Sequence, residues 1–208
     1  MLLSIRDLRR LHLAASFELG AGECVVLRGA YGSGKTQLLR AIAADLDPNE
    51  GTVLLDGTAR ADVPAPAWRR LVAYVPAEPG WWADTVGEHF PDWNAAAPLA
   101  ERLGLPAACG AWPIQRLSTG ERQRIALARA LALASAPLPG PRVFLLDEPT
   151  AGLDEAATAA VEALVAERRA AAGAGVVWVT HDAAQAGRVG RRWLLLRDGR
   201  VEEVAPPP

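Results

Sequence analysis

Short apolar runs recur along the chain, each bounded by glycine, proline or charged positions. They are Cys24-Val25-Val26-Leu27, Thr52-Val53-Leu54-Leu55, Leu71-Val72-Ala73-Tyr74-Val75, Val143-Phe144-Leu145-Leu146, Val176-Val177-Trp178-Val179 and Trp193-Leu194-Leu195-Leu196. Runs of this length and composition predict strands, several of them buried on both faces as in a parallel sheet. Residues 1–28 add further short strands, with Phe17 and Leu19 as apolar positions and Gly20-Ala21-Gly22 as a turn. Helical spacing appears between these runs. Residues 36–44 place Leu38, Leu39 and Ile42 on one helical face. A second helix begins near Ser118, runs through Leu133 and breaks at Pro137, Pro139 and Pro141. A third, alanine-rich, spans 155–172 and is ended by Gly173. Residues 193–196 and 200–204, joined by Asp198-Gly199, read as a hairpin, and Pro206-Pro207-Pro208 as a solvated tail. Strands alternating with helices predict an α/β fold: a mainly parallel sheet flanked by helices, with an antiparallel β part near the N-terminus. A segment at about 76–140, rich in proline, alanine and tryptophan, interrupts the alternation.

Composition narrows the picture. The 208 residues suit one domain with room for a small inserted part. Half of them are hydrophobic and the net charge is −2, which gives no electrostatic case for nucleic acid as a direct partner. Cys24 and Cys109 stand in no metal-ligand spacing and read as buried reduced thiols of a cytosolic protein. Residues 1–7 lack the apolar core of a signal peptide, and no apolar stretch approaches the ~20 residues of a membrane helix, so a soluble chain is expected.

Of 22 basic side chains only one is lysine, Lys35. It sits in Gly29-Ala30-Tyr31-Gly32-Ser33-Gly34-Lys35-Thr36, which fits the phosphate-loop pattern G-x-x-x-x-G-K-T and is followed by Gln37. Arginine is a wide planar fork, whereas lysine carries a compact ammonium on a thin stem, and a glycine loop wrapped around phosphates has room only for the stem. Strand, glycine loop and helix follow in the order the motif requires. Backbone N–H groups of the loop and the helix N-terminus would converge on phosphate oxygens. Lys35 is expected at the β- and γ-phosphates of a nucleotide, with the Thr36 hydroxyl on Mg²⁺.

A second constellation follows the apolar run 143–146. Asp147-Glu148-Pro149-Thr150 puts two carboxylates at a strand's C-terminal edge, where open α/β sheets bind ligands. Asp147 suits Mg²⁺, and Glu148 suits the activation of water. Leu117-Ser118-Thr119-Gly120-Glu121-Arg122-Gln123-Arg124 opens the helix near 118; Ser118 with Glu121 is also a capping box. Taken with the acidic pair, this segment resembles the signature loop of ATP-binding-cassette (ABC) proteins. Asp147 to Asp154 looks like that family's Walker B running into its D-loop, and Thr180-His181-Asp182 resembles its H-loop.

The resemblance covers nearly the whole chain. It implies a P-loop NTPase fold of ABC type over residues 1–208, with 1–75 and 141–208 as the core and about 76–140 as a helical subdomain carrying the signature loop. It also implies that two cassettes, expected here as a homodimer, sandwich two ATP molecules. Ser118 and Gly120 of one chain would then close over the γ-phosphate bound by the other, with Asp154 of the D-loop a further nucleotide-site residue and His181 contacting the γ-phosphate. The implied activity is ATP hydrolysis that powers solute transport through separate transmembrane subunits, placing the chain on the cytoplasmic face of the membrane. Small iron- or metal-exporter ATPases are the nearest comparison, with short haem-exporter ATPases second. A soluble ABC ATPase acting on nucleic acid or ribosomes, and a weakly hydrolysing nucleotide-gated module, remain alternatives. Two departures stand out. Ala77 occupies the place of the family's Q-loop glutamine, with Glu78 next to it, and residues 8–16 hold no adenine-stacking aromatic apart from the ring of His12. Trp81-Trp82, in a Pro-Gly loop, is the candidate exposed anchor for a membrane subunit.

Overall fold

A computed structural model describes residues 1–48, 50–133 and 140–205. The strands are β1 (Leu3–Arg10), β2 (Leu13–Leu19), β3 (Cys24–Gly29), β4 (Glu50–Leu55), β5 (Thr58–Ala59), β6 (Val72–Val75), β7 (Val143–Asp147), β8 (Gly175–Val179), β9 (Arg192–Arg197) and β10 (Arg200–Val204). The helices are α1 (Lys35–Ile42), α2 (Ala65–Leu71), α3 (Trp93–Arg102), α4 (Thr119–Ala132), α5 (Glu155–Ala172) and α6 (Ala183–Val189). One sheet runs in the order β5-β4-β1-β2-β10-β9-β3-β8-β7-β6. Neighbours from β9 through β6 pair in parallel, whereas β1, β2, β4 and β5 pair antiparallel. This is the mixed sheet that the alternation of runs predicts.

Strand parity builds the two faces of the sheet. Cys24, Val26, Phe144, Leu146, Val176 and Trp178 enter one core, under α3, α4, α5 and α6. Their neighbours Val25, Leu27, Val143, Leu145, Val177 and Val179 enter the other, with Leu38, Leu39 and Ile42 of α1 and Trp68 of α2. Side chains two apart share a face. Each apolar run therefore serves both cores, which is why it reads as continuous rather than alternating.

The helix at 155–172 has the predicted bounds, and Gly173 closes it at φ 63°. Ser118 caps α4 through the expected reciprocal capping box with Glu121. The strand expected at 71–75 starts one residue later, because Leu71 completes α2. That helix sits in a proline-rich stretch, with proline in its first turn, where a missing N–H costs nothing. The expected break at Pro137 and Pro139 and the tail at 206–208 lie outside the described residues. Among those described, no helix is long and apolar enough to cross a membrane.

Trp68 fastens α2 to the rest. It is 1% exposed, and its indole N–H donates to the Ile42 carbonyl at the end of α1 over 2.8 Å. Replacing it with alanine should lower unfolding stability by about 3–5 kcal/mol in urea titrations.

Candidate functional site

The sharp exit from β3 into α1 depends on glycine at two points. A Cβ at Gly29 would lie 2.5 Å from the Leu196 carbonyl oxygen, and one at Gly34, where φ is +104°, would lie 2.6 Å from a Leu13 methyl. Gly34 also stands at the N-cap of α1, with no side-chain cap and no acidic residue in the first turn. The helix N-terminus is thus left with its N–H groups and positive dipole end unneutralised. Lys35 is buried and folds back on its own loop, donating to the carbonyls of Gly29 and Ala30 at 2.9 Å each. Burial lowers its pKa, against the opposing pull of Glu148 and Asp147. Ser33 Oγ and Gln37 Oε1 are buried without a hydrogen-bond partner among the described residues. The Ser33 hydroxyl can donate to a ligand rich in oxygens, such as a polyphosphate, whereas Gln37 Oε1 only accepts and suits a cation or a donor.

Parity aims the acidic pair. Asp147 follows Val143 and Leu145 on the face of the sheet that carries α1, so its carboxylate meets that helix. Asp147 Oδ2 accepts from Thr36 Oγ1 at 2.7 Å and from the Tyr74 hydroxyl at 3.1 Å. Glu148 leaves the strand in the left-handed region, at φ 51°, a conformation that costs a non-glycine residue free energy and clusters at functional sites. Its Oε1 lies 2.9 Å from His181 Nε2. Burial pushes the Glu148 pKa up and the Asp147 charge adds to the rise, while His181 and Lys35 oppose it. A half-buried carboxylate with a raised pKa is suited to taking a proton. Thr36 and Asp147 offer the hard oxygen donors that Mg²⁺ takes.

An open cleft of about 1200 Å³ joins these groups. Tyr31, Gly32, Gly34, Lys35, Thr36 and Gln37 line it together with Asp147, Glu148 and His181. Ala77 and Glu78 lie on its wall, so the position that departs from the family pattern does face the cleft. Ser118, Gly120 and Asp154 lie elsewhere. Ser118 is exposed at the N-terminus of α4, Gly120 lies so close to Leu153 that an added Cβ would be 3.0 Å from its methyl, and Asp154 caps α5 through Ala157 N. The signature segment and the D-loop segment therefore touch each other, but they do not line the cleft of their own chain.

Trp81 and Trp82 part company. Trp81 packs against the core, whereas Trp82 is 69% exposed and lines the cleft. The Arg129 guanidinium lies over both rings, at 5.2 and 4.6 Å. The anchor expected of the pair thus narrows to Trp82. His12 sits in the turn between β1 and β2. Sequence reasoning missed Tyr74 and Gln185. Gln185 is 1% exposed and bridges Thr150, just beyond Glu148, to Glu162 on α5. Parity marks Tyr74 as sharing a face with Asp147, but only once β6 and β7 are known to be neighbours.

A family profile described as "ABC transporter" matches residues 13–151. The "Fe(3+) ions import ATP-binding protein FbpC" of Pseudomonas fluorescens is 35% identical over 92% of this chain and 56% of its own length. The "Probable iron export ATP-binding protein FetA" of Escherichia coli is 33% identical over 80% of this chain and 76% of its own. The chain spans just over half the length of the Fe(3+) import relatives it matches. A solved structure described as an ATP-binding subunit of an ABC transporter superposes with a TM-score of 0.85 at 28% identity, covering 99% of this chain and 90% of that one.

The raised pKa of Glu148 has a consequence for stability. The folded chain binds this proton more readily than the unfolded chain, so the ionised carboxylate costs stability once pH rises above the ordinary carboxylate range. Glu148→Gln should melt at a higher temperature than wild type above neutral pH. The gain should vanish as pH falls below that range. A gain equal at every pH in thermal unfolding scans would contradict this assignment.

Proposed function

The chain belongs to the ABC transporter family, and we propose that it binds and hydrolyses ATP to power solute transport through separate transmembrane subunits. One observation carries the reading: the phosphate loop, Asp147, Glu148 and His181 meet around one cleft at the C-terminal edge of the parallel strands. In this reading residues 1–75 and 141–208 form the core that holds the nucleotide, and about 76–140 form the helical part that carries the signature loop. The position of Ser118 and Gly120 away from their own cleft supports a second copy of the cassette, whose signature loop closes the site. Trp82 is the contact offered to a transmembrane subunit, which would hold the chain at the cytoplasmic face of the membrane.

The residues act as follows. The loop N–H groups and the N-terminus of α1 bind the phosphates, and Lys35 leaves its own carbonyls to reach their oxygens. Thr36 and Asp147 would hold Mg²⁺, which would supply positive charge near the phosphate oxygens. Glu148 takes a proton from the attacking water. His181, within reach of Glu148, donates to the phosphoryl group as charge builds on it. Ser118 and Gly120 of the partner copy add hydroxyl and backbone N–H donors at the N-terminus of α4. Residues 8–16 hold no aromatic ring apart from His12, so adenine stacking is expected to be weak and base selectivity low.

Single-turnover hydrolysis by the purified chain tests the assignment. Wild type should hydrolyse ATP, and Glu148→Gln should bind it yet turn over at least about 100-fold more slowly. Turnover no faster than that of the variant would sink the enzyme reading. Lys35→Arg keeps the charge and widens the head group, and should reduce turnover by a comparable factor of about 100. Near-normal affinity and turnover in that variant would refute the steric role given to the lone lysine.

A further inference from the structure

Asp147 has two donors, and they are not equivalent. Thr36 is itself a candidate metal ligand. The other is Tyr74, which lies on β6, a strand that carries none of the residues assigned to the nucleotide. β6 pairs in parallel with β7, with Tyr74 opposite Leu145 and Val75 opposite Leu146. Asp147 lies two positions beyond Leu145 and on the same face, within the diagonal reach of a tyrosine ring. The phenol meets Oδ2 at 3.1 Å. Oδ2 also takes the Thr36 bond, so Oδ1 has no protein donor among the described residues.

We infer that Tyr74 is a positioning residue for the metal site: its hydroxyl holds the Asp147 carboxylate in one orientation and leaves Oδ1 available to Mg²⁺. The inference rests on the nucleotide reading given above. A carboxylate at a strand end turns freely about its side-chain bonds, and a fixed partner outside the ligand set removes that freedom before the metal arrives. A phenol is protonated at neutral pH and is therefore a donor. Beyond Tyr74 the strand runs into Pro76 and Ala77, whose side chains bear no donor. Tyr74 is thus the point through which β6 touches the metal edge.

Tyr74→Phe removes the hydroxyl and keeps the ring. The test is the affinity of the full chain for ATP, measured in excess chelator and across a Mg²⁺ titration, for wild type, Tyr74→Phe, Asp147→Asn and the double variant. Wild type should bind ATP more tightly as Mg²⁺ rises. In Tyr74→Phe the Mg²⁺ concentration giving half of that gain should rise about 10-fold, while affinity in chelator stays at the wild-type value. In the Asp147→Asn background, Tyr74→Phe should add no further shift. Three results would overturn the inference: a Mg²⁺ response in Tyr74→Phe matching wild type, an equal loss of affinity with and without Mg²⁺, or a shift that persists without the Asp147 carboxylate. A wild-type chain whose ATP affinity ignores Mg²⁺ overturns the functional reading underneath it, and the inference falls with it.

Discussion

One carboxylate oxygen, Asp147 Oδ2, ties the first turn of α1 to the strands beyond β3: it accepts from Thr36 in α1 and from Tyr74 in β6. Thr36 and Asp147 are 111 residues apart in sequence. Their meeting depends on the parallel order β3-β8-β7-β6, which brings four strand ends and one helix N-terminus to a common edge. Parity then turns Asp147 toward α1. A slip of one residue in β7 would send the carboxylate into the opposite core, so the apolar register of that strand and the chemistry at its end are one constraint.

The groups around that edge are kept in tension. Lys35 is buried and bonded to carbonyls of its own loop, Glu148 is strained and half-buried, and orphaned oxygens of Ser33 and Gln37 lie beside them. A polyanion bound in the loop would give Lys35 a counter-charge and the N–H groups acceptors. The proximity of Glu148 to His181 has the same character. It sets a proton acceptor beside a donor at the end of β7, and Gln185 braces the turn beyond it.

Much of this was legible in the sequence. Glycines and lysine at fixed spacing, an apolar run ending in two acids, and a histidine after another such run each carry a local signature, and strand and helix lengths follow from periodicity. The α5 bounds were readable because alanine-rich periodicity ends at a glycine that adopts φ 63°. Tyr74 was not readable as a partner of Asp147, because lateral strand order is a property of the sheet and not of either segment. The helix α2 hid among prolines. The difference between Trp81 and Trp82 was likewise invisible, since neighbouring residues in a loop carry no period from which to assign an inner and an outer face.

In the proposed reading the cleft is half of a site. It has the loop, the acids and the histidine, whereas Ser118 and Gly120 lie apart from it at the N-terminus of α4. If a second copy supplies them, nucleotide must act as the bridge between chains, and blocking hydrolysis must trap the bridged form. Sedimentation velocity of the Glu148→Gln chain, with and without ATP and Mg²⁺, tests this directly. Monomer without nucleotide and dimer with it is the expected result; a chain that binds ATP and stays monomeric at every concentration would contradict the composite site.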